Sequence, residues 1–424
     1  MKLEINQEVL LSALEKGSIS ALSDEAKNDT SNYSTLIKSV KITCGEKFTI
    51  ESLTNLVAVK HSVDIGKENG IIIEEEGVSI VKAKELMDWV KNQGKSSVIK
   101  MSLLKLESPE VVEDKTDGDE SVNIESAIKK IGDLKISSKD ESKTVSNWEL
   151  DAYDESQYPV VDFSKNGNLM FETYSQYFKN GLDKISFSAL DRDYDHIYDS
   201  VSVQFMEDEV YFATTDTKRC ALYKLPVVEN LSTKETVMVP VKVFESLKKA
   251  SEKEEKMKFS FEEESNKLFV STQNTEMRLI CSDKEAIKKF PPVKMLLDKK
   301  YDELVDIPKS ALNKILVNAA IVNNSSALFE FDKDKGTLIV KAISDDGKYK
   351  PNKTKTKLEN IKITSSSVWG VKHLIEGLKS VTSDIVNIKL PENHGILKIS
   401  DGEDFSYFTM KINNPKYEAY KSKE

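Results

Sequence analysis

The stretch VPVKVFESLKKASEKEEKMKFSFEEESNKLFVSTQ, residues 239–273, decides the fold. Its first part, 240–250, reads as a helix. Its second part, 256–273, alternates through Met257, Phe259 and Phe261 and returns through Leu268 and Val270, the period-two pattern of a half-buried hairpin. The same order stands immediately upstream. A helix over 173–185 carries Tyr174, Phe178, Leu182 and Ile185, and a hairpin over 201–214 turns at Glu207-Asp208-Glu209. Helix, hairpin, helix, hairpin is therefore one unit.

The unit recurs on both sides with a spacing of about 135 residues, in the order of elements rather than in identity. Downstream, helix 308–322 holds Leu312, Ile315, Leu316 and Ala319, and hairpin 327–342 turns at Asp334-Lys335-Gly336. Helix 367–381 and hairpin 385–400 follow. Upstream, Val9, Leu10, Ala13 and Leu14 make an apolar stripe over 6–16, and 36–55 alternates through Ile37, Val40, Ile42, Phe48 and Ile50. Leu86, Trp89 and Val90 mark a second helix. Strand 97–106 finds its partner only after residue 130. The intervening ESPEVVEDKTDGDE is acidic and lacks large hydrophobes, which predicts a mobile insertion over about 107–130.

These units predict an α+β chain of three repeated domains, 1–162, 163–298 and 299–424, the last with a short C-terminal extension. Two helices and two hairpins cannot cover both faces of a sheet, so helices should share one face and neighbouring sheets should join edge to edge.

Composition narrows the function. A net charge of −10 excludes attachment to nucleic acid through a broad basic surface. Three scattered cysteines, Cys44, Cys220 and Cys281, include no CxxC pair and fit a reducing compartment. No apolar run approaches the roughly 20 residues of a membrane span, and Glu4 and Glu8 break the N-terminal segment, so a cytoplasmic location is expected. The basic charge is segregated. The six helical segments 6–16, 82–95, 173–185, 240–253, 308–324 and 367–381 carry +7 together, leaving −17 on the rest.

ATTDTKRCALYKLPV (213–227), VMVPVKVFESLKK (237–249), KKFPPVKML (288–296) and SYFTMKI (406–412) resemble, in this order and spacing, motifs of the bacterial DNA polymerase III beta subunit, the beta sliding clamp. In the first domain MKLEINQEVLLSAL, IVKAKELMDWV and ESQYP carry a weaker likeness. The resemblance implies a divergent member of that family, with sliding-clamp domains whose helices line the inside and whose antiparallel sheets face outward. Two chains would close head to tail into a homodimeric ring around double-stranded DNA, independent of its sequence. The ring would tether the replicative polymerase and clamp-loader subunits through short linear peptides. No cofactor, metal, catalytic residue or membrane contact is implied.

The DNA-facing candidates are Lys84, Lys91, Lys179, Lys184, Lys248, Lys249, Lys314, Lys372 and Lys379. Carried over from the resemblance, Thr215, Lys218, Arg219, Cys220, Pro291, Leu296, His394, Ile396, Met410, Lys411 and Ile412 match the peptide groove. Trp148 and Leu150 match one side of the dimer interface, and Ile321 and Val322 the other. Thr217-Lys218 replaces the family's Gly-His, Cys220 replaces its Leu, and the chain continues past the groove strand to Glu424.

An alternative from another class is a metal-dependent DNA-processing enzyme using the Asp191–Asp199 carboxylates. DRDYDH (191–196) alternates acids as a calcium loop does, but the required Gly falls on His196 and the closing Glu on Ser202. His61, His196, His373 and His394 have no zinc-ligand spacing. Neither GxxxxGK[ST] nor GxGxxG occurs, so any ATP would be used by a separate loader. A repeat scaffold that binds only proteins is a third reading.

Overall fold

The computed structural model describes residues 1–31, 33–112, 128–139, 145–163, 167–190, 197–230, 235–252, 254–344, 350–391 and 395–421. The chain is mixed helix and antiparallel sheet. The repeat is fuller than the sequence suggests, because each copy opens on a strand that the apolar pattern alone does not reveal. Lys2–Asn6, Asn168–Tyr174 and Asp302–Pro308 each run directly into a long helix, Gln7–Gly17, Ser175–Ile185 and Lys309–Val322. Each opening strand then pairs with the first strand after the copy's second helix: Val98–Val112, Lys256–Glu262 and Ile385–Leu390.

Each expected hairpin also gains a third strand, and these extra strands make the joints. Val57–Asp64, the third strand of its set in the first copy, pairs antiparallel with Thr275–Ile280, the last strand of the second. Arg219–Leu225, the third strand of its set in the second copy, pairs with Phe405–Met410, the last of the third. The sheets thus join edge to edge as expected, and among the described residues they form one of 14 strands and one of 8, with a separate sheet of 4. Because the joints are continuous sheet, the chain divides into two compact units that do not follow the repeats. One is Met1–Gln176 with 228–233 and 242–281; the other is 177–227 with 234–241 and Ser282–Glu424.

Within the second unit, two helices lie on the same face of the eight-stranded sheet, and glycine permits it. A Cβ on Gly181 would fall 2.6 Å from the Tyr223 ring, and one on Gly377 2.5 Å from the Tyr407 ring. Each ring's hydroxyl is fixed by its helix. Asn180 donates to the Tyr223 hydroxyl at 3.0 Å, and Tyr407 donates to the His373 carbonyl at 2.9 Å. The opposite face is not bare, contrary to the expectation of helices on one face only. The short helices Lys284–Lys289 and Val293–Asp298 place Phe290 and Val293 in a cluster with Ala213, Cys220, Leu222 and Phe408.

One further expectation changes. The flanks of the 107–130 segment are not an insertion but strand: Val98–Val112 and Ile128–Lys139 pair as far as Val112 and Ile128, with a register irregularity between Lys105 and Glu110. Backbone pairing between the two strands, not apolar burial, sustains these ends, since residues 107–110 are exposed; residues 113–127 lie outside the described residues. The C-terminal extension is anchored. Tyr417, fully buried on helix Pro415–Lys421, donates to the Ser326 carbonyl at 2.7 Å and packs in a cluster with Leu328 and Val368.

Candidate functional site

The turn between Glu209–Thr215 and Arg219–Leu225 builds one rim of the candidate groove. Asp216 accepts the backbone N–H of Lys218 at 3.0 Å and of Arg219 at 3.1 Å, and Thr215 Oγ1 donates to the Arg219 carbonyl at 2.6 Å. Thr217 takes φ 76°, the left-handed region that a β-branched side chain rarely adopts. That conformation is why glycine suits this position and why Thr217 is a strained replacement. On the other side of the joint, the Met410 N–H donates to the Lys218 carbonyl at 2.9 Å, and the Lys411 N–H to the Gly395 carbonyl at 3.0 Å.

Below this rim the register sets Cys220 directly opposite Phe408, and Met410 opposite Ile396. Cys220 and Phe408 are buried, Leu296 and Ile396 are partly buried on the same cluster, Pro291 is half-buried, and Met410 is 52% exposed. Strand register and the 284–298 linker thus gather Cys220, Leu296 and Ile396, with an exposed methionine at the edge. Apolar and methionine side chains of this kind suit an adaptable docking face. Residues outside the expected set complete it: Phe290, Val293 and Phe408 in the core, Tyr301 and Leu297 around it, and Met295 exposed on the linker helix. The alternation of 406–410 and the apolar spacing of 287–297 were the available signals.

Two members of the expected set, Arg219 and Ile412, do not belong to this face, and a third is not described. Arg219 is almost wholly enclosed: its guanidinium pairs with Asp216 at 2.9 Å and with Glu376, donates to the Phe187 carbonyl at 2.9 Å, and lies over the Phe187 ring. It braces the groove strand against helix Val371–Lys379, with its donors already engaged. Ile412 points into the Tyr417 cluster, and its N–H donates to the Val368 carbonyl at 2.9 Å, because the anchored extension redirects the chain after Lys411. His394 lies outside the described residues.

The six long helices, at their observed bounds, carry a net +5 against −15 for the rest of the chain. Lys84, Lys91, Lys249, Lys314, Lys372 and Lys379 are exposed, and Lys179 and Lys248 are half-buried. Lys184 is different. Its ammonium donates to Asp401 at 3.1 Å and lies 5.4 Å from the Phe405 ring centre, so it is held inside the fold rather than offered to a phosphate. Asp401 also accepts from Thr382 and Ser383, and these bonds hold its carboxyl well below the usual carboxylate range despite burial.

Of the expected interface residues, Trp148 is partly exposed on strand Val145–Tyr153 and Ile321 is 66% exposed near the end of Lys309–Val322, while Val322 is half-buried. Leu150 is not a surface residue. At 1% exposure it belongs to the first unit's core with Leu134 and Ile136 and pairs directly with Leu134, while Trp148, on the same face two residues earlier, stays partly exposed.

No group of three or more metal-binding side chains is gathered among the described residues, and DRDYDH (191–196) lies outside them. Burial pushes the thiols of Cys44, Cys220 and Cys281 up to about 12, so none is a reactive thiolate at neutral pH. No described helix is long and apolar enough to cross a membrane.

Repeat, joints and groove together define the sliding-clamp fold. The DNA polymerase III subunit beta of Pseudomonas aeruginosa superposes with a TM-score of 0.76 at 16% identity, over 97% of this chain and 100% of that one. A sliding clamp from the same organism bound to griselimycin gives 0.77 at 17% identity, over 98% and 100%. The polymerase beta subunit of Streptococcus pyogenes gives 0.75 at 13% identity, over 98% and 100%. Within this fold, residues 172–283 match the family model of the DNA polymerase III beta subunit, central domain. No curated protein matches the chain.

Proposed function

We propose that the protein is a DNA sliding clamp, a processivity factor for replication that acts by encircling duplex DNA and tethering a polymerase and other proteins to it. The observation that carries this reading is the grammar of the joints. Each joint pairs the third strand of one copy's first set with the last strand of the next copy. The same rule leaves two strands without a partner of that kind. Among the described residues Asn352–Lys357 pairs only with Thr337–Ala342, and Val145–Tyr153 has one open side except for a single pair, Ile80 with Tyr153. Two chains that repeat the existing joint head to tail satisfy both edges and close on themselves. Charge supports the pairing: Lys353, Lys355 and Lys357 are exposed on one edge, and Glu149 and Asp151 on the other.

A ring explains how a chain of net charge −10 holds DNA, since topology replaces a broad basic surface and the helix lysines need only line the hole. The docking face supplies the second requirement, a site for linear peptides of polymerase and clamp loader. Nothing in this role calls for catalysis or a cofactor, and loading would use a separate ATPase. The setting is the bacterial cytoplasm. Light scattering on the purified chain should give a dimer, and loaded protein should stay on closed circular DNA and slide off once the circle is cut. A monomer, or equal loss from both forms, would count against the proposal. The metal-dependent alternative predicts DNA cleavage with added magnesium in the same samples; the likeness to clamps gives it no support.

A further inference from the structure

The face of the eight-stranded sheet away from its two long helices holds positive charge that no described carboxylate balances. Lys398 shares the face of Ile396, two residues along the same strand, and in the register it lies between Phe408 on one side and Lys389 on the other. Its ammonium sits 5.3 Å from the Tyr301 ring centre and 5.5 Å from that of Phe408. Among the described residues no carboxylate pairs with Lys398 or Lys389. Glu303, opposite Lys389 in the register, is engaged by Lys362. Like charges directly opposite on a sheet are unfavourable. Burial, and then Lys389, push the Lys398 ammonium below its ordinary range. Beside it the Tyr301 hydroxyl is buried with no hydrogen-bond partner.

Lysine elsewhere in this chain is commonly matched. Lys184 has Asp401, Lys224 has Glu209, and Lys256 and Lys258 share Glu172. An unmatched, half-buried ammonium seated on two aromatic rings beside an apolar docking face calls for an anion from outside. The rings fix the ammonium, so little freedom is lost when a carboxylate arrives, and partial desolvation strengthens the attraction.

We propose that Lys398, with Lys389 beside it, is a carboxylate-recognition subsite of the docking face. It takes an Asp or Glu side chain of a linear peptide whose apolar anchors rest on Leu296, Ile396 and Met410. The inference rests on the docking reading given above and adds the chemistry that selects the peptide. It predicts that partners are apolar and acidic together, and that basic peptides with the same anchors are rejected.

The test uses full-length protein and labelled, C-terminally amidated hexapeptides holding Leu and Phe as anchors, with one Asp moved through the other positions and an Asn twin for each. At one position the Asp peptide should bind about tenfold tighter than its twin, the scale of a charge-assisted contact. Lys398→Gln should bring the pair within about twofold by removing that contact, Lys389→Gln should reduce the preference, and Lys398→Arg should keep it. Thermal unfolding of Lys398→Gln should match or exceed the wild type, since an unbalanced cation is removed. Equal binding of Asp and Asn twins at every position overturns the subsite, as does a preference that survives Lys398→Gln. An Asn peptide with a free C-terminal carboxylate that gains as much as the Asp peptide assigns the site to chain ends and overturns the side-chain form. Loss of all peptides in Leu296→Lys/Met410→Lys keeps the docking face whatever the subsite does. If no peptide binds the wild type, the docking reading fails and the subsite with it.

Discussion

Replacing Ile321 with Ala separates a dimer contact from a core contact, because the structure leaves two-thirds of that side chain in solvent. Ile→Ala removes about three carbons, worth about 2.4 kcal/mol at about 0.8 kcal/mol per buried carbon. Ile321 is 66% exposed, so roughly 1.6 kcal/mol of that remains to be gained at an interface and about 0.8 kcal/mol is already made within the chain. The better helix propensity of alanine offsets part of the internal loss. A head-to-tail ring uses the contact twice, so the dimer should weaken by about 3 kcal/mol, on the order of 100-fold in Kd. Sedimentation velocity over a dilution series reads the Kd, and circular dichroism melting reads the fold. The expected result is folded monomer at concentrations where the wild type is dimer, with the melting midpoint lowered by only a few degrees. An unchanged Kd would refute the interface assignment, and a large fall in the midpoint would show that Ile321 is core. Adding Val322→Ala, half-buried, should deepen both effects but weigh more on the melt.

Leu296→Lys with Met410→Lys should abolish binding of polymerase and loader peptides, read by fluorescence anisotropy, while leaving the dimer and retention on circular DNA unchanged; intact peptide affinity would remove the docking face from that place. Thr217→Gly should stabilise the chain by about 1 kcal/mol in a urea titration, because Thr217 at φ 76° sits in a strained region that glycine enters freely; a destabilised variant would mean the side chain does more than tolerate the turn. Deleting 113–127 while keeping the paired flanks should leave the thermal midpoint nearly unchanged, since that acidic segment has little to bury; a large drop would count against it. Burial lowers His61 to about 4 beside its 2.9 Å contact with Thr275 at the joint between Val57–Asp64 and Thr275–Ile280. Its folded value lies below the ordinary 6.5, so its neutral form contributes stability that is present above pH 6.5 and lost as pH falls towards 4, about 3 kcal/mol in all. Urea titrations at pH 7 and pH 4.5 should show His61→Gln to be flatter across that window, and equal slopes for both proteins would exclude the group.

The sequence by itself determined the repeat, the segregation of positive charge onto helices, and the absence of recognisable catalytic or phosphate-binding motifs. These follow from local periodicity and from residue counts, which need no partner to be read. Through the resemblance it also pointed to Thr215, Leu296 and Met410 as members of the proposed docking set, because these lie in short stretches whose order is distinctive. What it could not supply was the destination of side chains whose partners are far along the chain. Arg219 and Lys184 read as surface cations, yet Glu376 and Asp401, 157 and 217 residues away, enclose them. Leu150 reads as an edge residue until pairing with Ile128–Lys139 sets it against Leu134 in the core. The neighbours of the third strands were missed for the same reason. Alternation such as that of 406–410 reveals a strand but not its partner, which at each joint is a strand from another copy, so only the tertiary structure decided which strands fuse the repeats into continuous sheets and where they leave an edge open.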